Sequence, residues 1–500
     1  MNVNSSQYVL ALDLGTTGNR AMLFDAQGFV AGQAYKELTQ YYPQPGWLEH
    51  NPEEIWQDTR ACMQQVLKDT GIATNQIAVI GLTVQRETCL LWDKTTGKPL
   101  HNAIVWQDRR TTVMCRQLAQ QGYAAQIQDL TGLVLDAYFS ATKLAWLLDW
   151  VKRERPEVNL ENVLAGTVDT WVLWNLTGGQ VHATDHSNAS RTMLMNLSTR
   201  RWEPVLLDLF GIPAHLMAEI RPSMGLFGKT DPDLLGVAVP ITAVLGDQQA
   251  ALLAHGCNRP GMLKCTYGTG CFLIAHTGNQ LTRSHNQLLS TVAWTSATEV
   301  NYALEGAMFT TGASIQWLRD GLKLIATAAE TEQLARRVSD TNGVYFVPAL
   351  SGLGAPHWDM SARGAFMGIT GGVQREHMVR AVLEAIAYQV KEVIEAMNQD
   401  CNTPIKHLKV DGGVSQNDFL MQFQADVLGI PIQRLAIPDA TAQGAAFAAG
   451  LAAGFWDDYA RLLTACKIDR TFEPGRGAAS AQANFAIWSK AVERVKHWSE

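Results

Sequence analysis

The sequence predicts an α/β protein of two domains of similar size, with a ligand-binding cleft between them. Three observations lead there. The chain's 500 residues exceed what one hydrophobic core usually organises. An apolar strand, a glycine turn and a returning strand over residues 8–25 are echoed in pattern, though not in letters, over residues 262–275. Several apolar runs also end abruptly in polar clusters, and in open α/β sheets such strand ends are where ligands bind.

Composition narrows the function classes. With 40 Lys and Arg against 47 Asp and Glu, the net charge of -7 leaves no broad positive field for nucleic acid or an anionic membrane. A bound phosphate must therefore be neutralised locally. The eight cysteines, at 62, 89, 115, 257, 265, 271, 401 and 466, contain no Cys-x-x-Cys pair, which argues against a zinc or thioredoxin-like centre and for free thiols in a reducing cytosol. The start of the chain lacks a secretory pattern. Its most membrane-like stretch, 440–455, is interrupted by Gln443, Gly444, Gly450 and Gly454 and reads as a closely packed soluble helix. The expectation is a cytoplasmic protein without membrane insertion.

In chain order, the opening hairpin puts Asp13 where a strand meets its turn. A carboxylate there can hold Mg2+ through its waters, while Gly15, Thr16 and Thr17 offer N–H groups and hydroxyls to phosphate oxygens. A turn-rich loop over 42–52 precedes a helix over about 53–67. The strand over 77–83 delivers Gln85, Arg86 and Glu87 together, and another delivers Trp106 ahead of Gln107, Asp108, Arg109 and Arg110, the two arginines reading as a solvated helix start. Leu144, Leu147, Leu148 and Val151 lie at helical spacing and read as core. Residues 166–174 form a strand or a short helix, and 185–191 a polar connector. No Gly-x-Ser-x-Gly supports a hydrolase there. The apolar run 241–245 ends in Gly246 and Asp247 ahead of an Ala-rich helix, where local pattern makes Asp247 a helix cap. In the second half, residues 312–325 start a glycine-led helix with Ile315, Leu318, Leu322 and Ile325 on its apolar face. Residues 350–359 form a glycine-rich loop, and a long helix covers about 377–397. Last comes a strand ending in Asp411, Gly412 and Gly413, then a helix stopped at Gly429. Neither Gly-x-Gly-x-x-Gly after the first strand nor Gly-x-x-x-x-Gly-Lys occurs, which excludes a Rossmann dehydrogenase and a P-loop kinase.

Taken together, Asp-x-Gly-Thr-Thr at 13–17, Gln85-Arg86-Glu87-Thr88, the run 102–107, Gly246-Asp247-Gln248-Gln249, Tyr267-Gly268-Thr269-Gly270, the run 312–318 and Asp411-Gly412-Gly413 resemble, in order and over nearly the whole chain, the FGGY family of carbohydrate kinases. Within it the resemblance is closest to the members that act on glycerol. It implies two ribonuclease-H-like domains of the actin and Hsp70 type, over 1–254 and 255–500, with ATP and polyol in the interdomain cleft. It further implies ATP and Mg2+ as cofactors and a homo-oligomer, dimer or tetramer. By position it makes Arg86, Glu87, Tyr138, Asp247 and Gln248 the polar contacts to glycerol, with Trp106 and Phe272 as the apolar wall. Asp247 becomes the catalytic base instead of a cap. Asp13 places Mg2+, while Thr16, Thr17, Arg20, Gly268 and Thr269 hold phosphates, and Gly312, Gln316, Gly413 and Asn417 line the nucleotide side. The rival readings are a family member acting on xylulose or erythritol, and a non-kinase ATPase of the actin and Hsp70 type. Leu14, Gly18 and Asn19 depart from the usual opening, so side-chain phosphate contacts there are expected to be fewer. The stretch 228–241 lacks the arginine that some members use to bind fructose 1,6-bisphosphate, and no such regulation is expected.

Overall fold

The apolar run that opens the chain becomes strand Tyr8–Leu14, which turns back as Gly18–Phe24. This is seen in a computed structural model that describes residues 7–401, 403–436 and 439–499. The strand is the centre of a six-stranded sheet ordered Met224–Lys229, Pro240–Gly246, Ile77–Val84, Tyr8–Leu14, Gly18–Phe24, Val30–Glu37. Ile77–Val84 runs parallel to both Tyr8–Leu14 and Pro240–Gly246, with Val84 opposite Leu14 on one side and Gly246 on the other. This register is what builds the site. It brings the carboxyl ends of three strands, and with them Asp13, Arg86 and Asp247, to one edge.

The second half repeats this wiring. Its seven-stranded sheet is ordered Leu289–Thr295, Val300–Met308, Cys271–Gly278, Met262–Tyr267, His407–Asp411, Ile432–Leu435, Ile468–Phe472. Met262–Tyr267 is antiparallel to Cys271–Gly278 and parallel to His407–Asp411, with Thr266 opposite Asp411. The likeness of the two hairpins thus extends to two sheets, the second carrying one extra strand.

Two helices cross between the sheets. Helix Asp247–Ala254 follows the first sheet, and Ala440–Ala452, although late in the chain, packs on the first sheet beside Val9, Ala11, Val79, Ala243 and Leu245. The crossing is close enough to require glycine, since a Cβ on Gly444 would sit 1.8 Å from the Ala250 carbonyl oxygen. Gly81 admits the Ala445 carbonyl in the same way, at 2.2 Å. The Ala-rich stretch is therefore a helix buried on all sides.

Elsewhere the expectations are extended or corrected. The first helix spans Pro52–Thr70, capped by Asn51 and stopped by left-handed Gly71, and the long helix spans Arg375–Asp400. Residues 163–176 give both a strand, Val163–Thr167, and a helix, Val168–Leu176. The glycine-led helix is only Gly312–Gln316, continuing as a π turn over Trp317–Gly321, and Leu322 is exposed instead of core. Arg110 is not a solvated helix start. Its guanidinium is buried between the Trp47 and Trp146 rings, 3.8 and 4.6 Å from their centroids, and paired with Asp108 and Glu49. Arg109 binds Asp136 at 2.6 Å. All eight cysteines are unpaired, and no helix among the described residues is long and apolar enough to cross a membrane.

Candidate active site

Strand alternation sends Asp13 into the cleft and Leu14 into the core behind it. The Asp13 Oδ2 accepts a 2.5 Å hydrogen bond from Thr441 at the head of the crossing helix. Burial, reinforced by the nearby Asp247 carboxylate, pushes its pKa up to about 6. Asn19 also points away from the cleft, donating to the Ile55 carbonyl at 3.0 Å, and a Cβ on Gly18 would meet Tyr35 Oη at 2.4 Å. The departures at 14, 18 and 19 thus lie on the back of the hairpin or where no side chain fits. Thr16 and Thr17 are at its tip, Thr17 exposed. Arg20, opposite Asp13 in register, is ion-paired with Asp439, so this guanidinium also ties the hairpin to the crossing helix.

A half-buried aromatic box adjoins the hairpin. The Trp106 indole donates to Thr16 Oγ1 at 2.8 Å and meets Tyr138 and Phe272 edge-on, at centroid distances of 5.5 and 5.9 Å. Arg86, Glu87 and Asp247 face this box. The Arg86 Nε lies 3.2 Å from Asp247 Oδ1, and Nη2 lies 3.4 Å from Tyr138 Oη. The cap of helix Asp247–Ala254 is Gly246, and Asp247 is its first residue, accepting the Gln248 N–H at 2.7 Å. Burial raises its pKa and the Arg86 charge works against that rise. The Gln248 side-chain oxygen accepts from the Lys264 ammonium, which leaves its amide N–H groups available.

The second hairpin faces the first across the cleft. Behind Gly268 and Thr269 is a cavity of 490 Å3 lined also by Gly312, Ile315, Gln316, Arg319, Gly413 and Asn417. Gly412, at φ 87°, runs so close to Tyr267 that a Cβ would sit 2.4 Å from its carbonyl oxygen, whereas a Cβ on Gly413 would meet nothing within 4 Å. The first glycine serves the backbone and the second leaves room for a ligand. The Asn417 side chain is occupied, capping the next helix through Leu420 N and donating to Thr331.

Every expected residue therefore lies at one of two adjoining places, the box with its hairpin or the cavity. Three further residues were not foreseen. Glu305 accepts from Arg86 and Arg191, and Lys264 holds Gln248 and Thr266. Burial opposes the Glu305 charge, but Arg191 and Arg86 outweigh it and hold the carboxyl down at about 2. Burial pulls the Lys264 ammonium down. A single charged residue inside an apolar strand was the available signal for Glu305 and Lys264, because such residues are buried only when paired. Arg191, in a polar connector, gave none. Among the described residues no group of three or more His, Cys, Asp or Glu could hold a metal ion. Asp13 with Asp247 nearby is a sparse set of oxygens, of the kind that could hold a hard cation such as Mg2+ alongside waters.

Residues 8–254 match the N-terminal domain model of the FGGY family of carbohydrate kinases, and residues 263–453 match its C-terminal domain model. The chain is 70% identical over 498 residues to a glycerol kinase of Rippkaea orientalis, covering 100% of both. It superposes on the crystal structure of Plasmodium falciparum glycerol kinase with ADP at a TM-score of 0.90 and 32% identity, over 98% of each chain. A xylulose kinase from Lactobacillus acidophilus gives a TM-score of 0.88 at 22% identity, over 98% of each chain, and shares the fold.

Proposed function

The chain belongs to the FGGY family of carbohydrate kinases, and on that premise we propose that it transfers the γ-phosphoryl group of ATP to glycerol, yielding sn-glycerol 3-phosphate and ADP. The observation that carries this reading is the small aromatic box of Trp106, Tyr138 and Phe272, with Arg86 and Asp247 at its polar side and the Thr16 hydroxyl bonded to its indole. Aromatic faces cover a three-carbon backbone, while Arg86, Glu87, Tyr138 and Gln248 fix its hydroxyls. A buried polar group left unpaired would penalise an analogue lacking one of them.

In this reading Asp247 accepts the proton of the terminal hydroxyl as that oxygen bonds to the γ-phosphorus and the bond to the ADP oxygen breaks. Positioning and charge stabilisation dominate such a transfer. The hairpin tips, with Thr16 and Thr17 on one side and Gly268 and Thr269 on the other, hold the phosphates. Arg20 adds a positive charge from behind. Gly312, Gln316, Gly413 and Asn417 border the nucleoside, Asn417 through its backbone and through the helix it caps. Asp13 is the residue that would hold Mg2+, which would supply neutralisation of phosphate charge. The division of labour assigns Mg2+, one side of the phosphate clamp and the polar polyol contacts to residues 1–254, and the nucleotide, the other side of the clamp and the Phe272 wall to 255–500. A cytoplasmic homo-oligomer, dimer or tetramer, is carried over from the family resemblance, and sedimentation in solution tests its size.

The test of the whole reading is ADP release coupled to an indicator reaction, with glycerol, dihydroxyacetone, xylulose and no acceptor compared side by side. Glycerol is expected to give by far the highest kcat/KM. ATP hydrolysis indifferent to any polyol would defeat the proposal, and a preference for xylulose would move it to another member of the family.

A further inference from the structure

Arg86 is held from the far side of the cleft. Glu305, fully buried in strand Val300–Met308 of the second sheet, receives Arg86 Nη1 at 2.5 Å and Nη2 at 2.9 Å. The same carboxylate receives Arg191 Nη2 at 3.0 Å, and Arg191 Nε donates to Glu87 Oε1 at 2.8 Å. Two guanidiniums and two carboxylates thus form a closed ring, neutral in sum and nearly without solvent contact. A guanidinium has five N–H donors. Glu305 takes two from Arg86, Gln249 Oε1 lies 3.3 Å from Nη1 and Tyr138 Oη 3.4 Å from Nη2, and Nε faces Asp247. The two strong bonds fix the plane of the group, and the long ones are those a substrate hydroxyl can replace.

We propose that Glu305 is a positioning and specificity-determining residue of the polyol site, locking Arg86 so that its Nε edge and one Nη donor face the substrate and Asp247. The inference rests on the reading of that site as a glycerol site. A bidentate pair between guanidinium and carboxylate is directional, so Arg86 is presented to the substrate in one orientation instead of several. Glu305 stands on the second sheet and Arg86 on the first, so this orientation exists only while the two sheets are closed at this corner.

The experiment compares wild type, Glu305→Gln and Glu305→Asp with glycerol and with propane-1,3-diol, which lacks the central hydroxyl. For Glu305→Gln the glycerol KM is expected to rise roughly 10- to 100-fold with a smaller change in kcat, and discrimination against the diol to narrow at least about tenfold. Glu305→Asp keeps the charge and loses the reach, so its KM is expected to stay raised. Dissociation of a fluorescent ADP analogue reports the fold and is expected to stay within about twofold of wild type, since the nucleotide cavity shares none of the ring residues. If Glu305→Gln does not fold, Glu305→Asp decides alone through its KM and its discrimination. Unchanged KM and discrimination in a folded variant, with glycerol turned over by wild type, overturn the role of Glu305 and leave the glycerol reading intact. Failure of wild type to use glycerol overturns both.

Discussion

Asp13 and Asp247 feel each other's charge in the cleft. Burial raises both, Asp13 to about 6 and Asp247 in the same direction. For Asp13 the sign follows from its folded pKa lying above the ordinary 3.8. The folded state binds the proton more tightly, so the group lends stability below pH 3.8, loses it as pH rises through about 6, and leaves a net penalty at neutral pH. Asp13→Asn, which retains an acceptor for Thr441, is therefore expected to raise the urea midpoint at pH 7.5, to leave it unchanged at pH 3.5, and to lower turnover. A midpoint that falls at pH 7.5 would contradict the burial argument. Asp247→Asn is expected to reduce kcat by about 10²- to 10⁴-fold, the usual worth of a positioned base, with circular dichroism unchanged. In wild type kcat/KM for glycerol should fall on the acid side with a midpoint above 3.8, because protonated Asp247 cannot accept the hydroxyl proton. Both carboxylates were legible in the sequence because each ends an apolar strand. Their pKa directions were not, since these depend on walls contributed by distant segments.

Among the elements, the crossing helix Ala440–Ala452 differs most from its local appearance. Its composition marked a buried helix, yet nothing local indicated that it would leave the second sheet and lie on the first. Gly444 records the contact. Gly444→Ala brings a Cβ against the backbone oxygen of Ala250, not against a movable side chain, and is expected to destabilise by about 1–3 kcal/mol with loss of activity. Gly371→Ala, where an added Cβ meets nothing within 4 Å, is the matched control and should be close to neutral in urea denaturation. Helix ends were legible to within a few residues where caps were plain, as at Asn51 and Gly71. They were less so after Gly312, where the helix loosens into a π turn under Trp317, whose ring stacks on Phe346 and Phe366.

For the whole molecule, the cleft is held together by pairs that join segments far apart in the chain: Arg86 with Glu305, Thr441 with Asp13, Arg20 with Asp439. In the proposed reading the polyol contacts come mainly from the first sheet and the nucleotide takes the cavity of the second, so closure would link the two ligands. Glycerol or a non-hydrolysable ATP analogue at one hundred times its Kd is expected to add about 2.7 kcal/mol of stability alone. Together they are expected to add more than the sum, read by thermal unfolding with each ligand and with both. Strict additivity would show that the two sites close independently.

What the sequence determined by itself is what short-range pattern can carry. Apolar strands ending in Asp13, Arg86, Asp247 and Asp411, each beside its turn or helix, indicated two α/β halves and most of the residues that line the cleft. Only the tertiary structure decided which charges meet. Glu305, Lys264 and Arg191 look like isolated charges along the chain, and they become a neutral ring and a buried prop for Gln248 only when two sheets face each other. At Leu14, Gly18 and Asn19 no side chain reaches the cleft, as the sequence led one to expect, and the reason is tertiary: strand alternation and the Tyr35 ring turn those positions inward or leave them no space. A charge's role depends on its surroundings through a local dielectric and a short list of neighbours, and for a cleft between two domains those neighbours come from residues hundreds of positions apart.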